Sequence, residues 1–411
     1  MLHKSVWIIN DYAGSPSHGM EYRHYYLGKE LVKLGYCVTI ISASYSHLFK
    51  RQPNVTGDFT HEKIDGINFL WVKVNDYGKS HDKRRVLKWL LFSYRLLKLP
   101  VSELIRPDLI VVSPMAVFPI LPAYRWAKKM DSRLAFEVKD IWPLSLMEIG
   151  GYSSNHPFIM FMRWFEYFAL KNADVIISNL PNYGQYIKDS GFDRNFTYIP
   201  NGVDLAEVRY PQKLDDDIAS QLENNKFVVG YVGTVGAANA LQSLLEAAKL
   251  LVNNSDIVFV IVGDGQEKKR LMELSVNIPN VLFLPAIPKV QVQSMLAFFD
   301  ICYIGLKKEK LFEYGVSPNK IFDYMYSGKP ILHSISTKKG LVARASCGVS
   351  VEAENPRAIA GGVFKLFSLS DSERELLGEN GKQYVIEHHT YDKLALKYKC
   401  IIEKNEIIEI K

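Results

Sequence analysis

Two short stretches hold the side chains best placed by type and spacing to do chemistry. In Tyr314-Gly-Val-Ser-Pro-Asn-Lys-Ile-Phe-Asp-Tyr-Met-Tyr-Ser-Gly-Lys-Pro330, Lys320 and Asp323 stand three residues apart, a spacing that puts both on one face of a helix. Pro318 suits the first turn of that helix and Ser317 its N-cap. A lysine near a helix N-terminus can neutralise a diphosphate, and a carboxylate one turn on can accept hydrogen bonds from ribose hydroxyls. A surface ion pair on a capped helix is the other reading of the same spacing. In Phe136-Glu-Val-Lys-Asp-Ile-Trp-Pro143, a strand-like run ends in Glu137, Lys139 and Asp140. Three charges at a strand's carboxyl end read as active-site groups, or as a salt-bridged loop.

The loops around them are rich in glycine. Asp11–Glu21 contains Gly14 and Gly19 and follows a strand pattern. It lacks GxGxxG, so a nicotinamide-type fingerprint is absent. Gly230-Tyr-Val-Gly-Thr-Val-Gly236 and Val262-Gly-Asp-Gly265 each end a strand pattern. Small residues at Gly233, Thr234 and Gly236, with the turn at Asp264, allow backbone N–H groups to cradle a phosphate. The ten histidines show neither HxH nor HExxH, so no metal site is expected, and His388-His389 reads as an exposed helix end.

The elements that must hold these residues alternate between strand and helix. Strand patterns fall at Val6–Asn10, Val38–Ala43, Leu109–Ser113, Leu134–Val138 and Val175–Ser178 in the first half. In the second half they fall at Val228–Gly233, Val258–Gly263, Val281–Leu284, Ile301–Leu306 and Pro330–His333. Helical patterns separate them, among them Lys83–Leu99 and Phe158–Lys171. Such alternation predicts an α/β protein with doubly wound parallel sheets, and its occurrence twice predicts two Rossmann-like domains. A length of 411 residues agrees. The break is placed at the turn residues of Tyr198-Ile-Pro-Asn-Gly-Val-Asp204, giving domains 1–203 and 204–388. A last helix over 389–411 is long enough to cross back to the first domain.

Composition narrows the class. Apolar residues are 48% and charged residues 23% of the chain, as in soluble globular proteins. The first residues do not resemble a signal peptide, no apolar run is long enough to span a membrane, and the four cysteines are scattered, so a cytoplasmic location is expected. The net charge of +6 is concentrated over residues 83–106, where seven Lys/Arg face a single acid, Glu103. Lys83, Arg84, Arg85 and Lys88 alternate there with Leu87, Trp89 and other apolar residues. The pattern suits a basic amphipathic helix lying on anionic lipid, or a helix with its apolar stripe in the core and its lysines in water.

Taken in order, these motifs resemble the retaining glycosyltransferases of family 4, with the GT-B fold. Gly19-x-Glu21, Leu31-x-x-x-Gly35-Tyr-x-Val38, Ile199–Asp204, Gly230–Gly236, Val262–Gly265 and Ser317–Pro330 carry the resemblance over nearly the whole chain. Glu137–Pro143 and Ser317–Met325 are similar to a subgroup in surface-polysaccharide (O-antigen and capsule) synthesis that includes L-fucosamine transferases. The resemblance implies an active site between the two domains, with an acceptor site in the first and a donor site in the second. Asp323 takes the place of the second glutamate of the family's Glu-x7-Glu motif, while Gly315 stands where the first should be. Lys139 stands where the family often has a histidine, before Asp140. The donor set so assembled is Gly19, Asn201, Gly233, Thr234, Gly236, Asp264, Ser317, Asn319, Lys320 and Asp323; the catalytic set is Asp140, Lys139 and Glu137.

The implied reaction moves a sugar from a nucleotide diphosphate, UDP by subgroup, to a polyprenyl-diphosphate-linked glycan at the inner face of the membrane. Neither a cofactor, a metal nor a nucleic-acid partner is expected. Two other readings are a GT-B-type sugar-nucleotide epimerase, which would carry more catalytic carboxylates and histidines, and a non-catalytic membrane-associated scaffold.

Overall fold

A computed structural model describes residues 4–78, 82–222, 226–337 and 340–405. The chain divides into two compact units, 1–200 with 391–411 and 201–390. The division comes three residues before the expected 203/204, and the return to the first unit starts at Tyr391, not at residue 389.

The first unit holds strands β1 Ser5–Ile9, β2 Cys37–Ala43, β3 Phe59–Ile64, β4 Ile67–Val72, β5 Leu109–Val112, β6 Arg133–Val138, β7 Val175–Ser178 and β8 Thr197–Tyr198. Its helices are α1 Arg23–Lys33, α2 Arg84–Leu96, α3 Ile120–Met130, α4 Leu144–Glu148, α5 Pro157–Asn172 and α6 Tyr183–Asp189. The sheet order is β3-β4-β2-β1-β5-β6-β7-β8. Pairing is parallel except between β3 and β4. That antiparallel hairpin, absent from the sequence reading, turns at Asp65-Gly66, both at positive φ, as a two-residue primed turn requires.

The second unit holds β9 Phe227–Val232, β10 Ile257–Val262, β11 Val281–Leu284, β12 Ile301–Gly305, β13 Ile331–Ser334 and β14 Gly348–Val351 in the order β11-β10-β9-β12-β13-β14. All its pairs are parallel. Its helices are α7 Leu205–Val208, α8 Asp216–Ala219, α9 Leu241–Leu250, α10 Lys268–Leu274, α11 Val292–Ala297, α12 Asn319–Tyr326, α13 Leu341–Arg344, α14 Pro356–Phe367 and α15 Asp371–His388. In each sheet alternate residues face opposite layers: Val228, Val260 and Cys302 join one core, Val229, Phe259 and Ile301 the other. Helix starts are set by local chemistry. Asp204, Asn355 and Ser370 each accept backbone N–H groups at an N-cap, and Pro356 sits at a first turn.

Two expectations about surface helices are corrected. In α2, Lys88 and Trp89 are buried, so neither lines a membrane-facing surface. His389 is buried as well, packed against Phe322 and Tyr384, and is not an exposed helix end. The last helix, α16 Tyr391–Glu403, packs on α1 in the first unit. It places Leu394, Ala395, Tyr398, Ile401 and Ile402 in the same core as Tyr25, Leu27 and Leu31. Burial of a large apolar side chain contributes about 1.5–3 kcal/mol, and net stability is only about 5–15 kcal/mol. A chain ended after Thr390 is therefore expected to lose the folded first unit. Limited proteolysis would show a cleaved first unit beside a resistant second one; wild-type resistance over residues 1–200 would contradict this packing.

Candidate functional site

The first unit gathers charge behind the carboxyl ends of β1 and β6. Glu137 lies on β6 with its side chain fully buried. Arg23, the first residue of α1, donates to its Oε1 from Nε at 3.2 Å and from Nη2 at 2.8 Å. Tyr398 of α16 donates to the same oxygen at 2.5 Å, and His24 Nε2 lies 2.7 Å from Oε2. Burial alone would raise this carboxyl, but Arg23 and His24 outweigh it and hold it well below the usual range. Arg23 also donates to the carbonyls of Ile199 and Pro200, at 2.8 and 2.6 Å. Glu137 is therefore corrected: its carboxylate is filled by protein donors and positions α1, α16 and residues 199–200, with no side left for a substrate.

The network continues outward. Asn10 Oδ1 accepts from the Tyr12 amide at 3.0 Å, which turns its amide nitrogen toward His24 Nδ1 at 2.9 Å. His24 is thus neutral, with its proton on Nε2 facing Glu137; burial lowers its pKa. Asn10 Nδ2 also reaches Glu21 at 3.4 Å, and Lys139 Nζ donates to Glu21 at 2.7 Å. Asp140, the next residue, is exposed and has no side-chain partner among the described residues. Of the three expected catalytic residues, Asp140 is the exposed one, Lys139 is paired with Glu21, and Glu137 is structural.

Gly19 is held by its own backbone. Its N–H bonds the Ser15 carbonyl at 2.8 Å. Its φ is +126°, and a Cβ there would meet the Lys50 amide nitrogen at 2.7 Å. Of the four basic residues of 83–89, Arg85 and Lys88 turn inward while Lys83 and Arg84 stay exposed. Lys88 Nζ donates to the Asp11 carbonyl at 2.8 Å and to its carboxylate at 2.9 Å. Arg85 and Trp89 both donate to the Tyr12 hydroxyl. Arg84 pairs with Asp82, and Lys83 is exposed. Lys88 balances a carboxylate buried at the end of β1, a need no amphipathic pattern reveals.

In the second unit the two glycine turns pack on each other. Gly263 has φ +148°, and a Cβ there would lie 1.9 Å from the Gly233 carbonyl oxygen. The Val235 amide bonds the Asp264 carbonyl at 2.8 Å and the Gly233 amide the Val262 carbonyl at 2.9 Å. Those two amides are unavailable to a phosphate. Those of Thr234 and Gly236 have no acceptor among the described residues. Asp264 is exposed, with its carboxylate on the Gly265 amide.

Helix α12 aims Lys320 at this turn. The Tyr324 hydroxyl accepts from the Val232 amide at 2.9 Å and donates to its carbonyl at 3.0 Å, fixing α12 to β9. Lys320 Nζ then sits 2.6 Å from the Tyr231 hydroxyl, 3.0 Å from Asn239 Oδ1 and 4.2 Å from the Tyr231 ring centre. Among the described residues it has no carboxylate partner, and burial pushes its pKa down to about 7.

Asp323 does not pair with Lys320. Both its oxygens lie 2.5 Å from Lys289 Nζ, which overturns the reading of Lys320 and Asp323 as a surface ion pair. A carboxylate has about four acceptor positions, so the bound Asp323 keeps sites for hydroxyls. Ser317 is not the N-cap. Pro318 holds that place, and the Ser317 hydroxyl accepts the Asn201 amide at 3.1 Å while Asn201 Nδ2 donates to the Ser317 carbonyl at 2.7 Å. Asn319, the first residue of α12, is exposed. Among the described residues no group of three or more His, Cys, Asp or Glu is arranged to hold a metal, and no helix is long and apolar enough to cross a membrane.

Arg23, His24, Tyr398 and Lys289 were missed. His24 lies on the apolar stripe with Leu27 and Leu31, and an imidazole buried there calls for a buried acceptor opposite. Lys289 and Tyr398 leave no such mark in a linear sequence.

Comparison with known proteins settles the family. Residues 17–207 match the model for Glycosyltransferase Family 4, and residues 226–368 match that for Glycosyl transferases group 1. The chain belongs to the family 4 glycosyltransferases. It is 23% identical over 274 residues to the putative colanic acid biosynthesis glycosyl transferase WcaI of Escherichia coli, a match over 63% of this chain and 66% of WcaI, just under two thirds of that relative's length. Among solved structures, sucrose-phosphate synthase from Thermosynechococcus elongatus matches 98% of this chain and 99% of its own with a TM-score of 0.73 at 16% identity. HepE from Anabaena, in complex with UDP and glucose, matches 98% of this chain and 100% of its own with a TM-score of 0.67 at 14% identity. The chain shares with these structures the GT-B fold of two α/β Rossmann-like domains.

Loss of the Glu137 carboxylate leaves Arg23 buried without its partner. Glu137→Leu is expected to cost about 3–5 kcal/mol, read as a lower thermal midpoint. The network also fixes a pH response. His24 and Glu137 both have folded pKa values below their ordinary 6.5 and 4.5, so the unfolded chain binds more protons. Stability is present above pH 6.5 and falls as pH drops, first through the histidine window and then through the carboxylate one. In His24→Gln the upper part of that fall should disappear; an unchanged midpoint profile between pH 7 and 5 would contradict the assignment.

Proposed function

We propose that this glycosyltransferase takes a sugar from a UDP-sugar and adds it, with retention at the anomeric carbon, to a hydroxyl of a polyprenyl-diphosphate-linked glycan in surface-polysaccharide synthesis at the inner membrane face. The observation that carries the donor half is Lys320: a half-buried ammonium held by a phenol, an amide oxygen and a ring face, with no carboxylate among the described residues to balance it. Two chain amides, of Thr234 and Gly236, stand in the adjoining turn, and α12 begins one residue before the lysine. A diphosphate supplies the missing charge to all three. Asp323, braced by Lys289, takes the ribose hydroxyls, and Asn201 with Ser317 sets the loop that starts α12. The naming of UDP rests on the complex of HepE with UDP and glucose. The polymer product rests on WcaI. The sugar, N-acetyl-L-fucosamine or a related amino sugar, rests on the likeness of the Glu137–Pro143 and Ser317–Met325 motifs.

In the reaction the bond from the anomeric carbon to the diphosphate breaks as the acceptor oxygen bonds the same face. The acceptor proton passes to the departing diphosphate oxygen. Lys320 stabilises the charge that develops there, and Asp140 orients the acceptor hydroxyl. No metal or cofactor enters this scheme.

Saturation-transfer NMR against UDP-, GDP- and dTDP-sugars tests the donor assignment. UDP-sugars should bind, and Lys320→Met should weaken them about 10- to 100-fold, the worth of one or two charge-assisted hydrogen bonds. Because the diphosphate selects the protonated lysine, wild-type affinity should fall as pH rises above 7, by up to about tenfold per unit. Lys320→Arg, which keeps its charge, should flatten that slope. Equal binding by wild type and Lys320→Met would overturn the assignment.

A further inference from the structure

Helix α5 is apolar on both sides. Its inner stripe, with Ile159, Met162, Phe165 and Ala169, is buried against the first unit. Its outer stripe carries Met160, Phe161, Trp164 and Tyr167, between 47% and 58% exposed. These positions lie at i, i+1, i+4 and i+7, one helical face. Four large apolar side chains left in water on one face mark an interaction surface.

The surface is broader than one helix. The connections from β4 to β5 and from β6 to β7 run in the same direction across the sheet, so right-handed crossovers put α2, α3 and α5 on one side of it. Trp126 of α3 donates to the Leu96 carbonyl of α2 at 2.6 Å. Phe118, just before α3, and Tyr124 within it pack on Phe161 and Phe168 of α5, with ring centres 5.5 and 5.2 Å apart. Helix α2 adds Leu87, Leu90 and Tyr94, between 42% and 56% exposed.

Within α2, α3 and α5 the exposed charge has one sign. Arg125, Lys128, Arg163 and Lys171 are exposed there. Across α2, α3 and α5 the one carboxylate is Glu166, which is buried on the Tyr186 hydroxyl. A second copy docking through the same face would bring two basic surfaces together, which costs energy. An anionic bilayer meets both features: its headgroups balance the lysines and arginines, and its interfacial zone is where Trp and Tyr partition.

We infer that the face of α2, α3 and α5 seats the enzyme on an anionic lipid surface, with Phe161, Trp164 and Tyr167 inserted at the headgroup level. This deepens the reading of a lipid-linked acceptor and rests on it for biological purpose. The contact involves α5 in place of the inward-turned Lys88 and Trp89.

Vesicle flotation without donor or acceptor separates the two. Phosphatidylcholine vesicles containing phosphatidylglycerol should carry the protein, and pure phosphatidylcholine should carry at least tenfold less. Lipids brominated near the headgroup should quench tryptophan fluorescence, and Trp164→Phe should remove most of that quenching. Phe161→Ser/Trp164→Ser/Tyr167→Ser should lower binding at least tenfold while UDP-sugar binding is unchanged. If that triple variant misfolds, quenching in Trp164→Phe decides alone. Failure to float with anionic vesicles, quenching that survives Trp164→Phe, or a dimer dispersed by the triple variant would each overturn the inference. A negative flotation with intact UDP-sugar binding leaves the transferase reading standing.

Discussion

The first unit is organised around one buried negative charge. Glu137 sits on a central strand where no water can solvate it, so its ionisation depends on donors from elsewhere in the chain. Arg23 and His24 come from the helix after β1, and Tyr398 from the last helix. A buried carboxylate that lost any of these would be costly to keep ionised. The consequence is geometric: meeting that charge fixes the start of α1, the docking of α16 and, through Arg23, the carbonyls of residues 199–200. From there Asn10 and Glu21 carry the order to Lys139. Asp140 is left as the open carboxylate at the rim of a rigid support.

The second unit follows the opposite logic. Its central charge, Lys320, is positive, half-buried and surrounded by neutral groups. A lysine in such a setting gives up its proton more easily than one in water, unless an anion arrives. The glycine turns beside it pack so closely that side chains are excluded at Gly233, Gly263 and Gly265, and at Gly233 a Cβ would meet the Lys320 ammonium itself, at 2.9 Å. One unit therefore pairs its buried cations with an internal anion, and the other leaves a cation among neutral groups, as the proposed diphosphate contact requires.

Much of this arrangement was legible in the sequence because it follows periodicity. The alternation of β-branched runs with amphipathic stretches marks ten of the fourteen strands among the described residues to within a residue or two at their ends, and misses β3, β4, β8 and β14. The glycine turns and the Ser317–Pro330 block fall where open α/β sheets bind ligands. What escaped depends on contacts across long separations. The pairing of Glu137 with Tyr398 spans 261 residues, and Lys289 reaches Asp323 across 34. Lys88 illustrates the limit: its position in a basic amphipathic pattern suggests solvent or lipid, but a buried Asp11 draws it inward. The β3–β4 hairpin was readable from Asp65-Gly66 and the alternation around it; an exposed edge strand, Thr60-His-Glu-Lys63, hides that pattern among polar residues.

Donor recognition as proposed turns on Lys320 meeting the diphosphate. Its side-chain nitrogen can be followed directly by lysine-detected NMR during a pH titration, with and without UDP. The Lys320 ammonium is expected to titrate near 7 in the free protein, and saturating UDP to move this titration upward by at least a unit. A Lys320 titration that UDP leaves unmoved would contradict it.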